Sequence, residues 1–320
     1  MRILITGSSG FIGSNLTKRI LEKHEVIVLG SKNIFGSKVE FLNLRLEDLE
    51  ESELNLFDID VVVHCAGIAD SSSGDLEEYR RVNTLASINL AKYSASIGVK
   101  RFIYLSSAKV NGEHSEYGLP FQISDIPNPS NYYAKSKFEA EVGLRKFSQI
   151  SGLDVVILRP VLVYGPGVKG NFHSLFSLVE KGLPLPLASI NHNKRSLLSV
   201  NNLVDLIDVC IENPDAKNGV FFVSDDQDLS TTEMIRQIGK ALRKRIYLFY
   251  FPIPFFKLVG RLFNRNSLID RLVGSLQVDI GHTKKVLGWT PPYELEVEFK
   301  KTADDFLEKR NSGGLNDSHN

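Results

Sequence analysis

The sequence predicts an α/β fold, a doubly wound parallel sheet with a smaller, interleaved C-terminal lobe. Short, nearly all-apolar runs rich in β-branched residues recur in the first half of the chain, at Ile3–Ile5, Val26–Leu29, Val39–Leu42, Val61–Val63, Phe102–Leu105 and Val155–Leu158. Such runs are typical of strands that are buried on both faces. Helical apolar patterns separate most of them, and this alternation favours parallel strands joined by helical crossovers.

Composition and charge limit the classes of function. The chain has 320 residues, 42% hydrophobic and 24% charged, which is long enough for one large core or two unequal lobes. With 38 basic and 38 acidic residues the formal charge is zero, so nothing favours nucleic acid as a partner. Cys65 and Cys210 are too few for a disulfide framework. Neither a signal peptide nor a run of about 18 apolar residues is present. We therefore expect a cytoplasmic protein without a membrane span or a metal site.

A glycine-rich turn follows the first predicted strand. Glycines at positions 7, 10 and 13 separate this strand from a predicted helix. Glycine permits a tight turn and a close approach of the backbone to a pyrophosphate, and the helix N-terminus offers free N–H groups. The spacing differs from the plain Gly-x-Gly-x-x-Gly fingerprint. We predict a Rossmann-type dinucleotide site, with cofactor contacts from Gly7, Ser9, Gly10, Phe11, Ile12 and Gly13.

A second candidate site lies at Tyr133 and Lys137, which are four residues apart. Turn-forming residues precede them at 127–130, so a helix is expected to begin here with Ser130 or Asn131 as its cap. The spacing places both side chains on one helix face, roughly 5–6 Å apart at Cβ. A nearby ammonium lowers the pKa of a phenol and lets it exchange a proton with an alcohol or a carbonyl. The alternative is an ordinary surface pair.

In combination, the motifs of this chain resemble those of one family. The glycine turn is accompanied by His64-Cys65-Ala66-Gly67, Asn83, Ser106-Ser107 and Tyr133-x-x-x-Lys137. The set resembles the extended short-chain dehydrogenase/reductases of the NAD-dependent epimerase/dehydratase family, which act on nucleotide sugars. The resemblance implies that Tyr133 is the acid/base, that Lys137 also holds the nicotinamide ribose, and that Ser107 hydrogen-bonds the reacting oxygen. It places Ala66 and Gly67 beside the cofactor.

The resemblance also indicates the reaction. In dehydratases of the family an Asp-Glu pair follows the catalytic hydroxyl, whereas Ala108 and Lys109 stand here, so a 4,6-dehydratase is not expected. Asn111 departs from the Tyr common in UDP-glucose 4-epimerases and fits the bacterial UDP-4-keto-6-deoxy-N-acetylhexosamine 4-reductases of surface polysaccharide synthesis. We therefore predict a 4-ketoreductase, which transfers a hydride from NAD(P)H to C4 of a UDP-4-keto-6-deoxy-N-acetylhexosamine in surface polysaccharide synthesis. The alternatives are a 4-epimerase of the UDP-glucose or UDP-N-acetylglucosamine type with retained NAD and a catalytically silent cofactor-binding protein.

The end of the second predicted strand bears on the cofactor. No acidic residue follows Leu29 to bind an adenosine ribose, and Ser31 and Lys32 are placed to meet a 2′-phosphate. This favours NADP(H) over NAD(H). The alternative is that Lys32 faces water. We interpret His64, beside an apolar run, as a structural histidine near the cofactor.

The second half is predicted to carry the substrate lobe. We assign 1–165 and about 196–224, which includes a strand at Phe221–Val223, to the cofactor domain, 166–195 and 225–309 to the substrate lobe, and 310–320 to a disordered tail. Segments around Lys169, Asn171 and Arg195 resemble family segments that hold the diphosphate of a sugar nucleotide. Lys109 is a further candidate substrate contact. Solvated loop residues are the alternative for each, and we expect a homodimer.

A basic, aromatic segment follows at Phe255–Arg265. Its basic residues recur every four positions opposite an apolar stripe. The simpler interpretation is a helix of the substrate lobe that packs its apolar side inward. The alternative is weak peripheral contact with anionic lipid.

Overall fold

The computed structural model describes residues 1–51, 58–69, 75–263 and 266–313. Its strands are β1 Arg2–Thr6, β2 Glu25–Gly30, β3 Glu40–Asn43, β4 Val61–His64, β5 Arg101–Leu105, β6 Asp154–Pro160, β7 Leu162–Tyr164, β8 Arg195–Ser199, β9 Val220–Val223 and β10 Asp228–Leu229. Seven of them form a parallel sheet in the order β3-β2-β1-β4-β5-β6-β9. This confirms the predicted doubly wound α/β fold.

Helices connect these strands. They are α1 Phe11–Ile20, α2 Leu76–Tyr79, α3 Ala86–Ser96, α4 Tyr132–Ser151, α5 Gly170–Glu180, α6 Val200–Glu212, α7 Thr231–Ala241, α8 Ile253–Leu262, α9 Asn266–Val273, α10 Gly281–Leu287 and α11 Leu295–Gly313. A π-helical turn at Arg80–Leu85 joins α2 to α3. Within the described ranges, none of the helices combines the length and the hydropathy that a bilayer crossing requires.

The alternation of side chains along β1 explains the two apolar layers of the main sheet. Ile3 and Ile5 point to one face, where they join a core that includes Leu16 of α1 and Leu203 of α6. Leu4 points to the other face, into a core that includes residues of α3 and α4. All three side chains are fully buried. Because the period of a strand is two, a strand covered on both faces must be apolar throughout.

A three-stranded sheet, β10-β8-β7, and a third apolar core mark the smaller lobe. The core holds Phe172 of α5, Ile235 of α7 and Phe299 of α11. The loop after β5 crosses to this lobe, since Phe121 N donates to Gln277 O at 2.8 Å and Asp279 N donates to Phe121 O at 2.9 Å. These backbone bonds join the loop after β5 to the segment before α10.

Two segments differ from the sequence-based expectation. The sequence assigns residues from about 196 to the cofactor domain, but residues 196–199 lie in β8 of the small sheet. The strand predicted to return to the main sheet is present as β9, at its edge. Helix α11 continues to Gly313, past the point where a disordered tail is predicted to begin. An ion pair between Arg310 and Glu180 of α5 holds this helix end, a tertiary contact that local composition does not reveal. Residues 314–320 lie outside the described ranges.

Candidate active site

The carboxyl ends of β1, β4 and β5 meet at one edge of the main sheet. The strand order reverses between β1 and β4, and ligand crevices of doubly wound sheets open at such a reversal. Thr6 and His64 end β1 and β4 as register partners, and Leu105 ends β5. The glycine turn, Cys65–Gly67 and Ser106–Ser107 follow directly. The structure therefore brings the predicted cofactor and catalytic residues to a single edge.

The glycine turn forms a cradle that side chains would fill. Gly7 has a φ of 72°, and a Cβ there would lie 2.6 Å from the backbone nitrogen of Ala66. A Cβ on Gly13 would lie 2.2 Å from the carbonyl oxygen of Gly7. Helix α1 has Gly10 as its N-cap, with no side-chain cap and no acidic residue in the first turn. Ser9 is exposed and Phe11 and Ile12 are half-buried, so the cradle fits the pyrophosphate of a dinucleotide.

Tyr133 and Lys137 lie on the first turns of α4. The helix begins after Asn131, whose side-chain oxygen accepts a hydrogen bond from Ala134 N at 2.7 Å. The predicted cap is therefore confirmed. Tyr133 is half-buried, and its ring centroid lies 6.4 Å from that of Tyr79 in an edge-to-face contact. An exposed surface pair would lack these contacts.

The Lys137 ammonium is buried at the carboxyl end of β5. Its Nζ donates to the carbonyl oxygen of Leu105 at 2.8 Å and lies 4.7 Å from the ring centroid of Tyr104. A Cβ on Gly67 would come within 3.3 Å of this Nζ and within 2.8 Å of Asn83 Oδ1. Gly67 thus leaves room for the lysine beside the end of β4. Two fixed contacts hold the charge in place at the cofactor edge.

Burial sets the acidity of Lys137. It lowers the pKa of the ammonium to about 8, against opposing effects from Cys65 and Glu141. Burial also raises the pKa of the Cys65 thiol to about 12, so this group is neutral near pH 8. We therefore assign the electrostatic support of Lys137 at that pH to Glu141, one helical turn further along α4. The lysine is charged below about pH 8 and loses its charge above it.

The pKa of Lys137 predicts that catalysis depends on pH. The kcat/KM of the purified protein should fall as the pH rises through about 8, because deprotonated Lys137 no longer stabilises an ionised Tyr133. Glu141→Gln removes the supporting anion and should move the midpoint of this decline to lower pH. Glu139→Gln, on the same helix but paired with Arg80 at 2.7 Å, is the matched control and should leave the midpoint unchanged. A midpoint that does not respond to Glu141→Gln would contradict the assignment.

Ser107 is positioned by a buried polar network. It caps a short 3-10 turn by accepting from Lys109 N at 3.2 Å, and only 8% of it is exposed. Its neighbour Ser106 donates through Oγ to Glu141, which also pairs with Arg159 at 2.5 Å. The Arg159 guanidinium donates in addition to Asn111 Oδ1 at 2.9 Å. The network ties α4, β6 and the loop after β5 together beside the Ser107 hydroxyl, the predicted catalytic group.

His64 and Asn83 fix the backbone behind the site. Thr6 Oγ1 lies 2.6 Å from His64 Nδ1 and Ser87 Oγ lies 2.8 Å from Nε2. Burial, with a smaller effect of Lys137, lowers the pKa of His64 to about 3, so the ring is neutral. Asn83, on the π-helical turn, accepts from Ile68 N at 2.8 Å. The structural interpretation of His64 agrees with these contacts. Within the described residues, no cluster of His, Cys, Asp or Glu is arranged to hold a metal ion.

The remaining cofactor candidates lie at the end of β2. Ser31 and Lys32 are both exposed and follow Gly30, which pairs in register with Asn43 of β3. They therefore lie one strand away from the glycine turn at the same edge of the sheet. The position suits contact with the adenosine end of a dinucleotide.

Charged residues of the loop after β5, of β8 and of α9 lie close together. Lys109 pairs with Glu113 at 3.3 Å, and Glu113 accepts a hydrogen bond from Asn131, the cap of α4. Arg195, at the start of β8, donates to the carbonyl oxygens of Arg271 at 2.8 Å and Gly274 at 3.2 Å. Burial lowers the pKa of Arg195, Glu113 raises it, and the like charge of Arg271 lowers it. The predicted Lys109 and Arg195 thus share one electrostatic cluster.

The other two predicted substrate residues lie at α5. Lys169 is its N-cap residue and is exposed, and Asn171 lies in its first turn, where its side chain is outside the described part of the structure. No contact joins Lys169 to the cluster around Arg195 in the described residues. Their role in substrate binding stays a prediction.

Several residues of the site were missed at the sequence level. They are Glu141, Arg159, Glu113 and Arg271. Two of them could have been predicted as buried charges. Glu141 lies four residues after Lys137 on a buried helix face, and Arg159 interrupts a strand that is otherwise apolar. Glu113 and Arg271 are loop and helix charges whose proximity depends on how the lobes meet.

The fold and this edge define the chain as an enzyme of the short-chain dehydrogenase/reductase class. The profile of the NAD dependent epimerase/dehydratase family matches residues 3–223. The protein belongs to this family, as the motifs predicted.

Individual relatives agree with this membership. A UDP-glucose 4-epimerase of Vibrio cholerae is 49% identical over 316 residues, which cover 97% of this chain and 96% of that protein. The structure of a UDP-glucose 4-epimerase with UDP-glucose from Thermotoga maritima matches with a TM-score of 0.76 at 22% identity, covering 97% of this chain and 100% of that one. A Bacillus cereus UDP-glucuronic acid 4-epimerase in complex with NAD matches with a TM-score of 0.75 at 20% identity, covering 96% and 99%. The predicted 4-ketoreductase activity finds less support here than its epimerase alternative.

Proposed function

We propose that this protein is a nucleotide-sugar 4-epimerase that acts on a UDP-hexose such as UDP-glucose and retains NAD. The observation that carries the proposal is the 49% identity to a UDP-glucose 4-epimerase over 97% of this chain and 96% of that protein. The arrangement of Tyr133, Lys137 and Ser107 supports chemistry at a sugar hydroxyl. It also weighs against the catalytically silent alternative. A role in surface polysaccharide synthesis belongs to the same proposal.

The chain's own residues supply proton transfer and positioning. A bound nicotinamide dinucleotide supplies the hydride acceptor and donor. Tyr133 Oη takes the proton of the sugar O4 hydroxyl as C4 is oxidised, and returns it when C4 is reduced on the opposite face. Lys137 stabilises the ionised phenol by its charge. Ser107 hydrogen-bonds the same oxygen and keeps it within reach of Tyr133.

The charges around Arg195 support a diphosphate group as the anchor of the substrate. Burial is the largest cause of the lowered pKa of Arg195, and the like charge of Arg271 adds to it, so an anion bound beside the two guanidinium groups would stabilise both charges. Lys109 lies on the other side of Glu113. We keep Lys169 and Asn171 as proposed contacts of the same group. A dehydratase remains disfavoured, because Lys109 is engaged in an ion pair where that reaction needs a free acid or base.

For the cofactor we propose NAD in place of the predicted NADP. The Bacillus cereus structure carries NAD, and an epimerase regenerates its own cofactor. The exposed Ser31 and Lys32 remain the residues placed to meet a 2′-phosphate. These two residues favour a second candidate function, that of a 4-ketoreductase. Such an enzyme must exchange NADPH in every catalytic cycle. Asn111 no longer favours it, since this side chain is 4% exposed and accepts from Arg159.

One experiment separates the two candidates. The purified protein is analysed by mass spectrometry for bound NAD or NADP and then incubated with UDP-glucose or UDP-N-acetylglucosamine without added cofactor. We expect bound NAD and conversion to the C4 epimer, measured by NMR. A protein that lacks this conversion but oxidises one NADPH per UDP-4-keto-6-deoxy-N-acetylhexosamine is a reductase, and the epimerase proposal is then wrong. We also propose a homodimer, which sedimentation equilibrium of the wild type tests: a mass equal to one 35.8 kDa chain would contradict it.

A further inference from the structure

Large apolar side chains are exposed on the turn after α5, on the extended stretch after α7 and on α8. These residues are more than two-fifths exposed, from 47% for Phe249 to 73% for Leu262. They are Leu183, Tyr247, Phe249, Tyr250, Phe255, Leu258, Leu262 and Phe263. Soluble surfaces carry single exposed apolar side chains, whereas a concentration of aromatic and leucine side chains marks a contact site. We call this set the aromatic face.

Backbone pairing and ring contacts connect the parts of the aromatic face. Leu185 N donates to Tyr247 O at 2.8 Å and Phe249 N donates to Leu185 O at 3.0 Å, so the stretch after α7 is paired to the chain near Leu183. Phe251 then packs against Phe255 and Phe256, with ring centroids 6.0 and 4.9 Å apart. These contacts hold the extended stretch and α8 side by side.

Helix α8 turns its apolar stripe outward. Phe256 and Gly260, four residues apart, are buried against the lobe. Phe255, Leu258 and Leu262, spaced i, i+3 and i+7, are exposed on a different face. The simpler sequence interpretation, in which the apolar side of the helix packs inward, therefore holds for Phe256 but not for the exposed apolar stripe.

The segment that carries this face is rich in basic residues. Between Glu233 and Asp270 the sequence has eight Lys and Arg residues and no Asp or Glu, although the whole chain balances 38 basic with 38 acidic residues. Arg243, Lys244 and Arg245 precede the aromatic stretch, and all three are exposed. Lys257 and Arg261 form an exposed row on α8 beside its apolar stripe. The face thus combines apolar area with a local positive charge.

We propose that the aromatic face docks the enzyme on an anionic phospholipid membrane. Amphipathic helices with Phe and Leu on one side and Lys and Arg beside it lie in the plane of the interface, where the apolar side chains enter the acyl boundary and the cations meet the headgroups. Tyr247 and Tyr250 suit the same depth, since tyrosine is enriched at membrane interfaces. A second copy of this chain is a poorer occupant, because a two-fold contact would set basic residues against basic residues.

Vesicle co-sedimentation tests the proposal. The full chain is mixed at low salt with vesicles of phosphatidylethanolamine and phosphatidylglycerol, or of phosphatidylcholine alone. We expect binding to the anionic vesicles, weaker binding to the neutral ones, and release at high salt. A protein that stays in the supernatant with anionic vesicles at low salt overturns the proposal.

Variants separate the two contributions. Lys257→Glu with Arg261→Glu should weaken binding to anionic vesicles roughly tenfold or more. Leu258→Ser with Leu262→Ser should weaken binding to both kinds of vesicle. The matched controls are Ile150→Ser, which replaces an 84% exposed side chain on α4, and Lys300→Glu on α11, both far along the chain from the face. Equal binding by controls and face variants would contradict the assignment.

Sedimentation velocity distinguishes lipid from protein as the occupant. The wild type and the two leucine substitutions should have the same sedimentation coefficient in the absence of lipid. A loss of association in the variant, together with no vesicle binding by the wild type, would assign the face to a protein interface instead. Thermal unfolding by circular dichroism confirms that each variant is folded, as expected for changes of exposed side chains.

Discussion

Tyr133→Phe should lower kcat by about 10² or more, because it removes the phenol that we propose exchanges the proton of the sugar hydroxyl. The ring stays in place, so its packing against Tyr79 should persist. Cofactor binding should therefore remain. Turnover is measured with UDP-glucose, and the bound nucleotide is measured by mass spectrometry.

Tyr132→Phe is the matched control for this prediction. Tyr132 is adjacent in the first turn of the same helix but is 49% exposed. Removing its hydroxyl changes the helix by the same single atom and should leave kcat near the wild-type value. Equal turnover in the two variants, or wild-type turnover in Tyr133→Phe, would show that the acid/base lies elsewhere.

Glu141→Ala should lower the free energy of unfolding by about 3–5 kcal/mol, measured by chemical denaturation, because it leaves the Arg159 guanidinium buried without its partner. The side chains of Arg159 and Glu141 are 5% and 3% exposed, and their N–O distance is 2.5 Å. Ser106 loses its acceptor in the same variant.

Two further variants make this second prediction specific. Replacing both partners, by Glu141→Leu with Arg159→Met, should recover most of the lost stability, since no unpaired charge remains in the core. Glu296→Ala removes one partner of an exposed pair with Lys240 at 2.7 Å and should change stability little. If Glu141→Ala is as mild as Glu296→Ala, the network does not contribute as described.

Local patterns predicted much of this protein. The strands of the main sheet are predicted by short runs that are apolar at nearly every position. Such a composition is typical of strands that are covered on both faces. The cap at Asn131 and the common face of Tyr133 and Lys137 follow from helical spacing. The glycine turn follows from the backbone geometry that Gly7 and Gly13 permit. In each case the determining interactions lie within a few residues, so the sequence displays them directly.

Tertiary structure decided the rest. The buried polar network joins residues that are 18 to 48 positions apart in the sequence, so no local sequence pattern predicts it. Its members are Ser106, Asn111, Glu141 and Arg159. The pKa of Lys137 depends on burial between elements, and the charge cluster at Arg195 depends on how two lobes meet. The outward stripe of α8 was equally undetermined. An amphipathic helix specifies two faces, but only the packing of Phe256 and Gly260 against the lobe determines which side chains remain in solvent.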